Sequence, residues 1–121
     1  MPRAHLAEAQ IHPAVRDKVA GHHADVVRQV QAVIAMHPVV VVGMAGNPWP
    51  RKARKGLDAA GVAHHDLDFG SYFGDWRRRN ALKMWTGWPT LPMIFVKGQL
   101  VGGATDLQAL IDSGELRKLL A

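Results

Sequence analysis

Apolar residues recur at spacings of three and four between residues 13 and 35, which is typical of the buried face of a helix. Pro13 suits the first turn of such a helix, and Gly21 is the position at which we expect a break or a bend. We therefore predict an amphipathic helix that ends before Pro38. The residues on its apolar face are Val15, Val19, His22, Val26, Val30 and Val33.

Four consecutive valines, residues 39–42, come next and are followed by a glycine. An unbroken β-branched run of this kind favours a central strand that is buried on both faces. Residues 44–50 are predicted to form a loop, and Pro50 is predicted to open a helix that ends at Gly61. The inward positions of that helix are Ala53, Leu57 and Ala60.

The second half of the chain continues the alternation of strands and helices. A weaker strand is predicted over residues 62–68 and a helix over residues 75–85. Residues 93–96 and 99–101 flank a two-residue turn with glycine at 97–98, which predicts a β-hairpin.

A final helix is indicated by Thr105, which stands three residues before Gln108 in the spacing of a capping box. The strand–helix–strand unit must place its two strands in parallel, whereas the hairpin must be antiparallel. We therefore predict an α/β fold with a four-stranded mixed sheet flanked by helices. Residues 1–37 are expected to be an extra N-terminal helical extension packed on a domain of residues 38–121.

The chain has 121 residues and contains no cysteine. This absence excludes disulfides, thiolate metal ligands, thiolate-held iron–sulfur clusters and a cysteine nucleophile. The formal net charge of +5 favours anionic partners without naming one. No apolar run approaches the roughly 18 residues that cross a bilayer, so we expect a cytoplasmic protein with no membrane partner.

Two pairs of adjacent histidines, His22-His23 and His64-His65, invite a metal hypothesis because histidine is the commonest metal ligand. Adjacent side chains point about 100° apart on a helix and to opposite faces on a strand. Neither pair is expected to chelate one ion, so we predict no metal site.

Three segments in the second half carry a resemblance to a known family. They are Trp-Pro-Thr-Leu-Pro at residues 88–92, the hairpin and Gly-Gly pair at residues 95–103, and Thr105-Asp106 at a helix start. In this order they resemble the glutaredoxins, and most closely the monothiol branch. The resemblance covers roughly residues 39–119 and implies a thioredoxin-like fold.

The active-site loop departs from that family. Aligned to a dithiol member, Asn47-Pro48-Trp49-Pro50 stands where Cys-Pro-Tyr-Cys would be. Aligned to a monothiol member, residues 44–48 match a Met-Lys-Gly-Thr-Pro run and the Cys-Gly-Phe-Ser segment is deleted. Both alignments lose the nucleophile and the family's nearby lysine. An amide forms no mixed disulfide and is a poor ligand for iron, so no iron–sulfur cluster is expected from the chain's own ligands.

Recognition of glutathione is the family property whose residues remain. The resemblance implies that the backbone of Leu91, before a cis Pro92, pairs with the tripeptide like an added strand. It implies that Thr105 and Asp106 take the γ-glutamyl end and that Arg79 meets the glycyl carboxylate. Glutathione is therefore the predicted ligand. Trp49 is either a plug in this groove or a hydrophobic contact for a partner.

Our leading hypothesis is a non-catalytic adaptor or sensor that binds glutathione, or a protein through the same groove. The resemblance implies a BolA-like protein as a partner and a link to iron–sulfur metabolism. One alternative is a transferase, in which the positive helix end near Arg51 would activate the thiol of bound glutathione. Another is weak anion or nucleic-acid binding by residues 77–79, although such charge runs are more often solvated surface, and we do not expect nucleic acid as a partner.

Overall fold

The structure, a computed structural model, describes residues 3–71 and 74–121. Within these residues it contains four strands and six α-helices. The strands are β1 (Val39–Gly43), β2 (His65–Asp68), β3 (Met93–Val96) and β4 (Gln99–Gly102). The helices are α1 (Pro13–Gly21), α2 (Ala24–Met36), α3 (Pro48–Ala59), α4 (Trp76–Thr86), α5 (Ala104–Ser113) and α6 (Glu115–Leu120).

The four strands form one sheet in the order β2-β1-β3-β4. β1 runs parallel to β2 and antiparallel to β3, and β3 pairs antiparallel with β4. Lys97 and Gly98 at the hairpin turn have φ values of 48° and 81°, and two positive values suit the right-handed twist of the flanking strands. The predicted four-stranded mixed sheet flanked by helices is confirmed.

The valine strand β1 separates two clusters of buried side chains. Val40 and Val42 face a cluster that includes residues of α2 and α4, whereas Val39 and Val41 face a cluster with α3, α5 and α6. None of the four valines is more than 1% exposed, because alternate side chains point to opposite faces and helices cover both. The prediction of a strand buried on both faces is correct.

The N-terminal helical segment is divided into α1 and α2. His23 has a φ of 45°, in the left-handed region, so the helix cannot continue through it. Val26 and Val30 of α2 are fully buried. The predicted apolar face is buried in α2 but not in α1, so the prediction is wrong for the first half of the segment. Helical periodicity shows which side chains share a face, but it does not show whether another element packs against that face. The exposed residues of that half are Val15, Val19 and His22.

The division into an extension of residues 1–37 and a domain of residues 38–121 stays a prediction. Met1 and Pro2, at the start of the extension, lie outside the described residues. Val26 and Val30 of α2 belong to the same buried cluster as Val40 of β1. Packing of α2 on the sheet therefore contributes to the core directly.

The last helix begins and ends differently from the prediction. α5 starts at Ala104, where Asp106 Oδ2 accepts a hydrogen bond from Gly103 N–H at 3.0 Å. Gln108 instead donates to Asp112, so the proposed pairing of Thr105 with Gln108 is wrong. Gly114, with a φ of 80°, then ends α5, and α6 follows as an element that the sequence pattern did not indicate. Among residues 3–71 and 74–121, no helix is long and apolar enough to span a bilayer.

β2 begins at His65 and is therefore shorter than predicted. Charged side chains connect α3 to β2 and to the residue before it. Both ring nitrogens of His64 form hydrogen bonds with aspartates: Nε2 lies 2.8 Å from Asp58 Oδ1, and Nδ1 lies 2.6 Å from Asp66 Oδ1. Arg54 pairs with Asp66 and with Asp68, the latter at 2.6 Å. Burial lowers the pKa of His64, but the hydrogen bonds and negative charges of the two aspartates outweigh it, so the pKa is raised above 6.5.

Candidate functional site

The helix that opens the site, α3, starts at Pro48 rather than at Pro50. Asn47 is its N-cap, and Asn47 Oδ1 accepts a hydrogen bond from Trp49 N–H at 2.9 Å. Asparagine is among the best N-cap residues and proline suits the first helical position. Pro50 is tolerated inside the first turn because the N–H groups there have no partner within a helix.

The other end of the Asn47 side chain reaches across the site. Its Nδ2 donates to the carbonyl of Leu91 at 3.4 Å, in the loop that precedes β3. The peptide bond between Leu91 and Pro92 is cis, as the resemblance implied. The resemblance implies a thiol at a helix start, and in this chain Asn47 is the residue at the N-cap of α3.

A cavity of about 260 Å³ lies between the start of α3, the loop of residues 87–92 and the start of α5. Four of the five residues predicted to contact glutathione line it together, although up to 15 residues separate them in the chain. They are Leu91, Pro92, Thr105 and Asp106. Sequence reasoning missed that Gly103 and Ala104 complete the wall, and the Gly-Gly pair before the helix was the signal available.

Trp49 and Trp88 form the aromatic sides of this cavity. Trp49 is 49% exposed, and Lys52 Nζ lies 4.3 Å from the centroid of its ring. A second cavity, of about 240 Å³, is lined by Trp49, Lys52, Thr105 and Gln108. Trp49 thus stands as a half-exposed wall shared by two adjoining cavities, and it does not fill the groove.

Asp106 approaches the backbone of the Gly102-Gly103 pair closely. Gly102 has a φ of 109°, a conformation that side chains rarely allow, and its missing Cβ leaves room for the Asp106 carboxylate. The carboxylate accepts the Gly103 N–H and stays exposed to solvent. The start of α5 therefore combines a carboxylate with backbone N–H groups that have no hydrogen-bond acceptor within the helix.

Arg79 is not brought together with the other four residues. It is only 6% exposed, and its Nη1 donates to the carbonyls of Phe69, at 2.9 Å, and Gly74. These bonds tie α4 to the segment between β2 and α4. A signal was present, because Arg79 stands three residues before the buried Leu82 and so lies on the inner face of α4.

The arginine run at residues 77–79 is divided by this burial. Arg78 Nη1 lies 3.7 Å from Asp75 Oδ2, and Arg77 lies 5.3 Å from the centroid of the exposed Trp76 ring. The three guanidinium groups therefore do not form one continuous cationic surface.

The sequence and the arrangement of the strands have counterparts among known proteins. The family model for glutaredoxin matches residues 39–101, from β1 to β4. The chain belongs to the glutaredoxin family. A glutaredoxin-like protein of Dictyostelium discoideum is 43% identical over 98 residues, which cover 81% of this chain and 80% of that protein.

Other relatives of this chain include monothiol glutaredoxins. The chloroplastic bifunctional monothiol glutaredoxin-S16 of Arabidopsis thaliana is 39% identical over 64 residues, which are 53% of this chain but only 22% of that protein. The structure of oxidised glutaredoxin 2 from Chlamydomonas reinhardtii matches with a TM-score of 0.70 and 25% identity, over 81% of this chain and 92% of the other. A buckwheat glutaredoxin–glutathione complex matches with a TM-score of 0.71 at 20% identity, over 83% and 91% of the two chains, and shows the shared thioredoxin-like fold.

Proposed function

We propose that this glutaredoxin binds glutathione in the cavity between α3, residues 87–92 and α5, and that it acts as a binding module without thiol chemistry. The observation that carries the proposal is the convergence of Leu91, Pro92, Thr105 and Asp106 on one cavity of about 260 Å³. The buckwheat glutaredoxin, which shares this fold, forms a complex with the same tripeptide.

The chemistry of the cavity suits the ends of the tripeptide. The first N–H groups of α5 are free of helical partners, since the first bond within the helix is from Leu107 N–H to the Gly103 carbonyl. They favour a carboxylate at the γ-glutamyl end. The Asp106 carboxylate suits the adjacent ammonium group. In this proposal the backbone of Leu91 pairs with the central residue in the manner of an added strand.

Disulfide reduction is not part of the proposed function. A glutaredoxin needs a thiolate at the start of this helix, and the 121 residues contain no cysteine. The side chain at the N-cap of α3 is the Asn47 amide, which cannot attack a disulfide.

The finer role that we propose is that of an adaptor or sensor in the cytoplasm, with a protein partner such as a BolA-like protein and a link to iron–sulfur metabolism. The monothiol relatives support this direction. The exposed Trp49 beside Lys52 is the surface next to the cavity through which such a partner would detect the ligand.

Calorimetric titration of the purified protein with reduced glutathione tests the proposal. The informative variant is Asp106→Asn, which keeps an oxygen for the Gly103 N–H and removes only the charge. We expect affinity to fall about tenfold or more, the effect of losing a hydrogen bond to a charged group.

The matched control is Asp112→Asn, the same chemical change further along α5 and outside the cavity. It should leave the affinity unchanged. No heat of binding at millimolar glutathione in the wild-type protein would contradict the proposal, as would equal losses in the two variants.

A further inference from the structure

Asn47 uses both ends of its side-chain amide, and each end serves a different side of the site. Oδ1 caps α3 through Trp49 N–H at 2.9 Å, and Nδ2 donates to the Leu91 carbonyl at 3.4 Å. The chemistry fixes which end is which, because a backbone N–H needs an acceptor and a carbonyl needs a donor. The side chain therefore connects the start of α3 to the residue before Pro92.

We propose that Asn47 is a positioning residue that restricts access to the Leu91 carbonyl, so that a ligand that pairs with Leu91 competes with the Asn47 amide for this acceptor. The inference rests on the proposed function, because an extended ligand that pairs like a strand uses this carbonyl as the acceptor for its own N–H. Glutathione, or another peptide with an extended backbone, is the class of ligand concerned.

The energetic argument concerns what the ligand replaces. Leu91 is 6% exposed and lines the cavity, so the incoming N–H exchanges with the Asn47 amide more than with water. A hydrogen bond gained at the expense of another one adds little net free energy. The separation of 3.4 Å is long for a hydrogen bond, which is consistent with a bond that a ligand can break.

A cysteine at the same position would leave the carbonyl accessible, because a thiol is only a weak hydrogen-bond donor. The Asn47 amide is thus an intramolecular competitor for the ligand at the backbone group that the ligand needs.

Two variants separate the two hydrogen bonds. Asn47→Ser keeps an oxygen that can cap Trp49 N–H but is too short to reach Leu91, whereas Asn47→Ala removes both bonds. We expect both variants to bind reduced glutathione roughly two- to tenfold more tightly than the wild type, the range for one neutral hydrogen bond. Thermal stability should fall from wild type to Asn47→Ser, which loses the bond to Leu91. It should fall further in Asn47→Ala, because only this variant also loses the cap on Trp49 N–H.

Affinity and stability should therefore change in opposite directions, which a purely structural role would not produce. The ¹⁵N-correlated NMR signals of the Asn47 side-chain amide should also shift when glutathione saturates the wild-type protein. Unchanged or weaker binding by Asn47→Ser, while the wild type binds, would overturn this inference and leave the proposed function standing.

The remaining outcomes separate the two proposals as well. Binding by the variants alone would support the role of Asn47 and contradict glutathione as the ligand of the native chain. No binding by any of the three proteins at millimolar glutathione would overturn both proposals.

Discussion

Gly102 is the position at which a single methyl group should disturb the site most. A Cβ built on Gly102 would lie 2.5 Å from Asp106 Oδ2, 2.8 Å from its Cγ and 2.9 Å from its Cβ. Because the whole side chain stands in the way, and not only its flexible end, Gly102→Ala must push Asp106 away from Gly103. The same substitution also places a side chain on a backbone with a φ of 109°.

The cost can be worked out from these two effects. The unfavourable φ costs about 1–2 kcal/mol, and loss of the Asp106 cap at the start of α5 costs about 1 kcal/mol more. For a chain of 121 residues, the unfolding entropy is about 0.25 kcal/mol per kelvin, so that 1 kcal/mol corresponds to about 4 °C. Gly102→Ala should therefore lower the unfolding midpoint by about 8–12 °C.

Circular dichroism during heating measures this shift, and Gly114→Ala is the matched control. Gly114 also has a positive φ, of 80°, but a Cβ there meets nothing within 4 Å, so only the backbone cost of about 1–2 kcal/mol applies. In an Asp106→Ala background, Gly102→Ala should cost less than in the wild-type background, because the carboxylate is gone and only the contact with the Cβ of residue 106, at 2.9 Å, remains. If Gly102→Ala is no more destabilising than Gly114→Ala in the wild-type background, the close approach of Asp106 to Gly102 is refuted.

Three further predictions concern other parts of the molecule. Leu57→Ala should lower the free energy of unfolding in urea by about 3 kcal/mol, because Leu57 is fully buried; a loss below about 1 kcal/mol would contradict the packing described for α3. The raised pKa of His64 means that the folded state binds its proton more tightly than the unfolded state, so the stability that His64 contributes should be full below about pH 6.5 and be lost as the pH rises through the raised pKa. Urea unfolding from about pH 6 to about pH 9 should show this fall in the wild type and a smaller one in His64→Gln; equal slopes would remove His64 as its cause. Asn47→Cys should place a thiol of lowered pKa at the start of α3, measured by the pH dependence of its alkylation, and an ordinary thiol pKa near about 8.5 would count against the helix effect.

The parts of the fold that the sequence predicted are those in which short-range pattern and packing agree. Residues 39–42 could hardly form anything other than a buried strand, since all four side chains are β-branched and apolar. The turn at residues 97–98 was equally clear, because a two-residue turn with glycine between two apolar runs is typical of a hairpin.

Element boundaries were less predictable because several residues competed for the same role. Pro48 and Pro50 both suit the first turn of a helix, and the cap formed by Asn47 decided between them. At α5, Asp106 rather than Gln108 supplies the capping side chain, since Gly102 and Gly103 leave room for it. Such choices depend on space around the backbone, which residue spacing does not show.

The candidate site was predictable where motif residues are close to one another and unpredictable where they are not. Leu91 and Pro92 lie in one loop, and Thr105 and Asp106 lie at one helix start, so each pair was recognisable. The bond from Asn47 to Leu91 spans 44 residues and becomes visible only when both segments are folded.

The outer strand β2 has a consequence for how copies of this protein behave towards one another. A strand at the edge of a sheet offers unpaired N–H and carbonyl groups to any passing chain, which is a route to aggregation. β2 has only four residues, and two of them are the exposed Asp66 and Asp68. A second copy that added its own β2 here would crowd these carboxylates and their ion pairs with Arg54 out of water, and the cost of that favours a sheet that does not grow from chain to chain.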